Sequence, residues 1–166
     1  MIMAKPSNKS IEKTNVMRIL DQHKISYTPY CYVDTGVISG IDVAHVMGQD
    51  PDIVFKTLVT TGASRAHYVF VLPSNRELDL KKAAKAVGEK SIEMLKAKEL
   101  LPLTGYIHGG CSPIGMKKFF KTTVHNSAQG YEKIFFSGGK VGYQVEMSPL
   151  DLKKVIPYEF ADLTVN

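Results

Sequence analysis

The sequence has no tryptophan, only two cysteines and no unbroken apolar stretch of membrane length. Cys31 and Cys111 are too few for a disulfide scaffold and form no CxxC pair, which fits a reducing compartment. A membrane-spanning helix needs about 20 consecutive apolar residues, and no such run occurs. The start, MIMAKPSNKSIEK, introduces charge too early for the apolar heart of a signal peptide. A cytoplasmic protein without membrane association is therefore expected. Also missing are an HExxH motif, a His-x-His pair and paired cysteines, so neither a metal nor another cofactor is expected. There is no internal repeat, no basic low-complexity tail and no linker-like break in composition. The chain is expected to form one domain over residues 1–166, with residues 1–10 a loose polar leader.

What is present is globular. Of 166 residues, 44% are apolar and 22% charged, enough for a real hydrophobic core. The net charge of +5 favours an anionic partner such as nucleic acid.

Thr14 to Lys24 places Val16, Met17, Ile19, Leu20 and His23 at helical spacing, which predicts a first amphipathic helix. Three capping boxes predict further helix starts: Ser39 with Asp42, Ser74 with Glu77, and Ser148 with Asp151, the last with Pro149 at the first helical position. In each, a side-chain oxygen satisfies a free amide and the acidic residue suits the positive helix end. Strand-like runs cover residues 27–33, 55–61, 68–72, 91–95, 105–108, 122–126, 133–137 and 143–147. SGGKVG (137–142) reads as a glycine-rich hairpin between the last two. The later strands are not separated by helices of βαβ length. They predict an α/β fold with a mixed or antiparallel sheet curled toward a barrel, rather than a doubly wound one.

GYIHGGCSPIGMKK (105–118) approaches a P-loop, with Gly110, four residues and Gly115. Met116, Lys117 and Lys118 follow where that motif requires Lys and then Ser or Thr, so magnesium has no hydroxyl ligand and a nucleotide site is not expected. A thiol nucleophile needs a base and an orienting group. His23, His45, His67, His108 and His125 are scattered, and Cys111 reads as a small packing residue. Lys56 interrupts the apolar strand IVFKTLV. It either reaches solvent or offers a compact cation to an ester, carboxylate or phosphate. The pairs Gly109-Gly110 and Gly138-Gly139 each follow a strand-like run, where freed backbone amides can hold an oxyanion. Lys81, Lys82, Lys85, Lys117, Lys118 and Lys121 could supply a phosphate-binding rim or a merely solvated face.

Taken in order, FKTLV, LDLKKAAKAVG, TGYIHGGCSPIGMKK, FFSGGKVG and SPLDLKKV make the chain resemble the YbaK/EbsC family of aminoacyl-tRNA deacylases. The resemblance runs from about residue 14 to residue 165. It is strongest to the free-standing bacterial members, the YbaK-type Cys-tRNA(Pro) deacylases, rather than to an insertion within prolyl-tRNA synthetase.

The resemblance implies a mixed, barrel-like sheet of six to seven strands surrounded by helices. It also implies hydrolysis of the ester joining a wrong amino acid, chiefly cysteine, to the 3′ end of tRNA for proline. Lys56 matches the family's essential lysine. Gly109 and Gly110 match its Gly-Gly loop, Ser137, Gly138 and Gly139 its Ser-Gly-Gly loop, and Tyr32 its pocket tyrosine. Lys117, Lys118 and Lys140 are candidate tRNA contacts. The family uses no evident protein nucleophile. A cysteine thiol or ribose hydroxyl of the substrate would attack the carbonyl while the protein positions it and stabilises the oxyanion. Thiol attack would also spare proline, which has none. Prolyl-tRNA synthetase is an implied partner. The chain departs from the family at Val141, where an arginine is common. The alternatives are an editor of Ala- or Ser-tRNA on the same scaffold, and a non-catalytic tRNA-binding module.

Overall fold

A computed structural model describes residues 11–166, and the expected leader lies outside these. The first helix, α1 (Asn15–Gln22), begins where Thr14 Oγ1 accepts the Met17 amide at 3.2 Å, and it buries Val16, Met17 and Leu20. Strand β1 (Thr28–Cys31) follows, then a short 3-10 turn at Val33–Thr35. Helix α2 (Gly40–Met47) starts at Ser39, whose Oγ accepts the Asp42 amide at 3.2 Å, and ends at Gly48. The hairpin β2 (Phe55–Gly62) and β3 (His67–Pro73) leads to α3 (Leu80–Val87), β4 (Ile92–Met94) and α4 (Ala97–Thr104). Then come β5 (Lys121–His125), β6 (Ile134–Ser137), β7 (Tyr143–Met147), α5 (Pro149–Leu152) and β8 (Glu159–Ala161). Ser148 caps α5 through its side-chain oxygen, as its spacing predicts.

Two local expectations fail. Ser74 does not open a helix. Its amide donates to Val54 O at 2.8 Å and its hydroxyl to Pro51 O at 3.4 Å, which ties it to the chain before β2. Asp79 caps α3 instead, accepting the amides of Lys81 and Lys82 at 3.0 and 3.1 Å. Nor is 105–108 a strand. Gly105 ends α4 in the left-handed region, and buried Tyr106 turns its hydroxyl back to Ile114 O. The Gly110 amide then closes a turn on Ile107 O at 3.0 Å.

The barrel expectation is corrected as well. Among the described residues eight strands, rather than the six to seven expected, form two sheets: a mixed five-stranded one in the order β4-β2-β3-β5-β8, and an antiparallel three-stranded one in the order β1-β7-β6. In the larger sheet β2 pairs antiparallel with β3 and β4, while β5 pairs parallel with β3 and β8. Its edges, β4 and β8, do not meet, so the sheet does not close. The two sheets touch through a parallel bridge between Val54 and Phe135, where the Phe135 amide donates to Ile53 O at 2.9 Å.

Strand alternation explains the core. Val59, Val69, Val71 and Val124 of the larger sheet pack in one cluster with Ile134, Phe136, Val145 and Met147 of the smaller, and α1 joins it with Val16, Met17 and Leu20. On the opposite face of β3, Phe70 and Leu72 pack against Ala83 and Ala84 of α3. Helix α2 lays Ala44 beside Val54 and Phe135, and Val43 and Met47 beside Tyr32.

Candidate active site

A cavity of about 460 Å³ lies beside the Val54–Phe135 bridge. Its walls are Phe55–Val59 of β2, the start of α2 at Ser39–Ile41, the segment carrying Met94, Leu95, Ala97 and Leu100, and the loop residues His108, Gly109 and Cys111. Tyr32, Ile38, Val43, Val54, Ser74, Phe136, Ser137 and Gln144 complete the lining. The volume suits a small organic group rather than a nucleic-acid helix.

Lys56 stands in β2 opposite Leu72 and is half-buried. Burial pushes its ammonium below the usual lysine value, and the negative charge of Glu77 acts weakly the other way. Among the described residues it makes no ion pair. A compact cation so placed is available to a polar group entering the cavity. The adjacent Thr57 also lines the wall, and its hydroxyl is buried without a hydrogen-bond partner among the described residues.

The sequence candidates divide. Lys56, Tyr32, Gly109 and Ser137 line the cavity; Gly110, Gly138 and Gly139 do not. Tyr32 is buried and its amide donates to Gly142 O at 2.7 Å. The Ser137 hydroxyl accepts the Gly139 amide at 3.1 Å, which folds the chain out of β6. Gly109 has φ 87°, and a Cβ there would lie 2.3 Å from Cγ2 of Ile38 on the cavity wall. Gly110 instead meets the hairpin backbone, with a Cβ position 3.0 Å from Val141 N. Gly139 meets Val16 Cγ2 of α1 at 2.6 Å. These two glycines allow close packing behind the wall.

Lys117 and Lys118 are exposed on the loop before β5. Exposed Lys140 pairs with Glu12 at 3.1 Å and lies 5.4 Å from the Tyr143 ring centroid. None of the three lines the cavity. Of the other rim lysines, Lys82 is taken up structurally, donating to Asp162 at 2.9 Å and to Thr164 O at 2.7 Å. Cys111 does reach the cavity, but burial pushes its thiol up to about 12, so it stays protonated at neutral pH. No group of three His, Cys, Asp or Glu side chains capable of holding a metal occurs among the described residues.

Sequence reasoning missed Gln144 and its partner Gln49, which exchange amide hydrogen bonds of 2.9 and 3.0 Å. One signal was legible. In YQVEM, Tyr143, Val145 and Met147 alternate as a core face, which leaves Gln144 on the other side of the strand. That α2 and the residues after it would cover this side was not legible, because the partners are 95 residues apart.

The aminoacyl-tRNA editing domain family matches residues 39–155, which span every cavity-lining residue except Tyr32 and Ile38. The chain is 46% identical over 157 residues to an Enterococcus faecalis protein described as "Putative Cys-tRNA(Pro)/Cys-tRNA(Cys) deacylase EbsC", covering 94% of this chain and 96% of that one. Two crystal structures share the fold at 21% identity, each covering 93% of this chain and 100% of its own. One is the hypothetical protein APE2540, with a TM-score of 0.83, and the other "a putative trans-editing enzyme for prolyl tRNA synthetase", with a TM-score of 0.78. On the extent of the family match and the near full-length identity to EbsC, this chain belongs to the aminoacyl-tRNA editing family, the YbaK/EbsC deacylases.

Proposed function

We propose that the chain is a trans-editing hydrolase that removes cysteine from tRNA for proline, with Lys56 as its central catalytic residue. The observation that carries this reading is the half-buried ammonium of Lys56 in the wall of a cavity large enough for an aminoacyl group, without an ion pair among the described residues. The near full-length similarity to EbsC supports the same substrate. The proposal includes one editing domain over residues 1–166, a cytoplasmic site of action, tRNA contacts from Lys117 and Lys118, and prolyl-tRNA synthetase as a partner.

In this mechanism Lys56 binds and orients the ester, and the Gly109 and Ser137 segments surround its carbonyl. The attacking group comes from the substrate. Cys111 is held as a thiol by burial, and among the described residues His108 makes no hydrogen bond to a hydroxyl or thiol of the cavity. When the cysteine thiol attacks, a carbon–sulfur bond forms and the ester carbon–oxygen bond breaks. The ribose oxygen leaves with the thiol's proton, and water opens the resulting thiolactone. A neighbouring ribose hydroxyl is the second candidate nucleophile. Its attack moves the acyl group to that oxygen, the first ribose oxygen leaves with the proton, and water then cleaves the new ester.

The test is deacylation of Cys-, Ala- and Pro-tRNA(Pro) by the wild-type chain and by Lys56→Ala. The expected pattern is rapid loss of the cysteinyl ester, sparing of the prolyl ester, and a fall of about a hundredfold or more in the variant. Undiminished activity in the variant removes Lys56 from the mechanism. Intact tRNA binding with no hydrolysis makes the chain a binding module instead.

A further inference from the structure

Gln144 is 2% exposed, yet it is among the residues lining the cavity, directly across the β6–β7 pair from Ser137. It is braced from the far side. Gln49, just beyond α2, donates to Gln144 Oε1 at 2.9 Å and accepts from Gln144 Nε2 at 3.0 Å. A reciprocal amide pair uses one N–H and one oxygen lone pair of each partner. Gln144 therefore keeps one donor and one acceptor, held in a fixed orientation at the cavity wall.

The charges around it are one-sided. Among the described residues lining the cavity there is no Asp or Glu; the titratable groups are Lys56, His108, Tyr32 and Cys111. Glu146 shares the Gln144 side of β7, but it accepts the Tyr30 hydroxyl at 2.9 Å and lies outside the lining. Tyr30 and Cys31 of β1 stand opposite Gln144 and Tyr143 in the same sheet. Asp42 and His45 of α2 are exposed, and Glu77 influences Lys56 from beyond the wall. An ammonium entering this cavity would meet the cation of Lys56, lose water and find no carboxylate. Both effects favour its neutral form. A neutral amine carries N–H donors and one lone pair, which match the acceptor and donor that Gln144 has left. An ammonium has no lone pair for the amide N–H.

We propose that Gln144, positioned by Gln49, receives the α-nitrogen of the aminoacyl ester as an uncharged amine. The inference rests on the deacylase reading above and specifies which protonation state of the substrate is bound. A substrate bound in one form alone has its apparent affinity reduced by the fraction in that form. The half-saturating concentration should therefore rise about tenfold for each pH unit below the ammonium's pKa.

The experiment compares two esters on tRNA(Pro) from about pH 6 to about pH 8.5, a range that brackets α-amino titration. One carries cysteine. The other carries the α-hydroxy analogue, with a hydroxyl in place of the amine, which is uncharged throughout. Spontaneous hydrolysis is subtracted. The cysteinyl half-saturation is expected to fall as pH rises, while that of the hydroxy ester stays level. Titration of Lys56 or His108 would move both esters together, so the difference between them isolates the amine. Gln144→Glu, nearly equal in shape, is expected to favour the ammonium and reverse the cysteinyl trend. If that variant does not fold, the two esters on the wild-type chain decide alone. A cysteinyl half-saturation that is level or rises with pH, or that runs parallel to the hydroxy ester's, overturns the proposal. Failure to hydrolyse either ester overturns the deacylase reading and this inference with it.

Discussion

Val54 and Phe135 pair in parallel, and Lys56 and Ser137 each lie two residues beyond that bridge. Both strands leave the junction in the same direction, so the pairing sets the ammonium and the hydroxyl into walls of one cavity. Phe135 is 7% exposed and rests against Ala44, Val54 and Tyr30. Phe135→Ala removes this packing and should cost about 3–5 kcal/mol in chemical denaturation. Phe135→Leu, which keeps the bridge packed, should retain most deacylation activity. A leucine variant as unstable as the alanine one would show that the aromatic shape, and not filled volume, holds the junction.

Lys56 is placed against its own stability. Burial disfavours its charged form, so the folded chain binds that proton less tightly than the unfolded chain does. A folded-state value below the ordinary one makes wild-type stability rise with pH, through the window just below the usual lysine pKa. Lys56→Met should therefore melt at or above the wild-type temperature near neutral pH, and the gap should narrow as pH approaches about 10.5. A clear drop in melting temperature for Lys56→Met would show that the ammonium has a stabilising partner in the fold.

The division between what the sequence shows and what it hides follows range. Ser39 and Ser148 cap helices through bonds spanning two or three residues, and their spacing alone reveals them. Ser74 has the same spacing, but its hydrogen bonds go to Pro51 and Val54, so tertiary context overrides the motif. Helix α4 was not visible because Lys96 gives it no side-chain cap and Pro102 sits inside it. Strand β8 is three residues long and exists through pairing with β5. Lys56 and Ser137 could be picked out as chemistry interrupting apolar or glycine-rich runs. That Gly110 and Gly139 pack behind the wall, while Gly109 lies in it, depends on Val141 and Val16, which no local pattern names.

Gly36 and Gly109 make a controlled pair. Both have positive φ, 73° and 87°, but a Cβ at Gly36 meets open space, whereas one at Gly109 lies 2.3 Å from Ile38. Both alanine variants should lose about 1 kcal/mol from backbone strain. Gly109→Ala alone should also weaken deacylation, because Ile38 lines the cavity and must move. Gly109→Ala, Ile38→Ala should recover part of that loss. Equal activity in the two single variants would mean that the Ile38 contact does not shape the site.

His125 predicts an acid limb in stability. Its Nδ1 accepts the Leu163 amide at 3.0 Å, which requires that nitrogen to be unprotonated. Burial lowers its pKa, with Asp162 acting in the opposite sense and Arg76 and Lys82 reinforcing the burial effect. The unfolded chain thus binds the proton more tightly than the folded one. The stabilising contribution is complete above the ordinary histidine value and is lost as pH falls through the lowered one. Wild-type melting temperature should drop between about pH 7 and about pH 5 more steeply than that of His125→Asn, whose amide oxygen can accept the same N–H without titrating. Parallel curves would show that His125 does not titrate on unfolding.

The surface lysines separate by whether the fold already uses them. Lys82 is pinned to Asp162 and Thr164 O, and Lys140 to Glu12. Lys117 and Lys118 are exposed and make no ion pair among the described residues. A cation that contacts phosphate releases bound counterions, so its removal lowers the slope of binding against salt. Lys117→Ala and Lys118→Ala should each weaken tRNA binding and reduce that slope by about one, without altering single-turnover deacylation at saturating tRNA. Lys82→Ala should leave the slope unchanged and lower the melting temperature, since its loss frees Thr164 O and Asp162. If the Lys117 and Lys118 variants keep the wild-type slope, tRNA approaches by another face. Then the basic charge near the glycine loop is only a solvated surface.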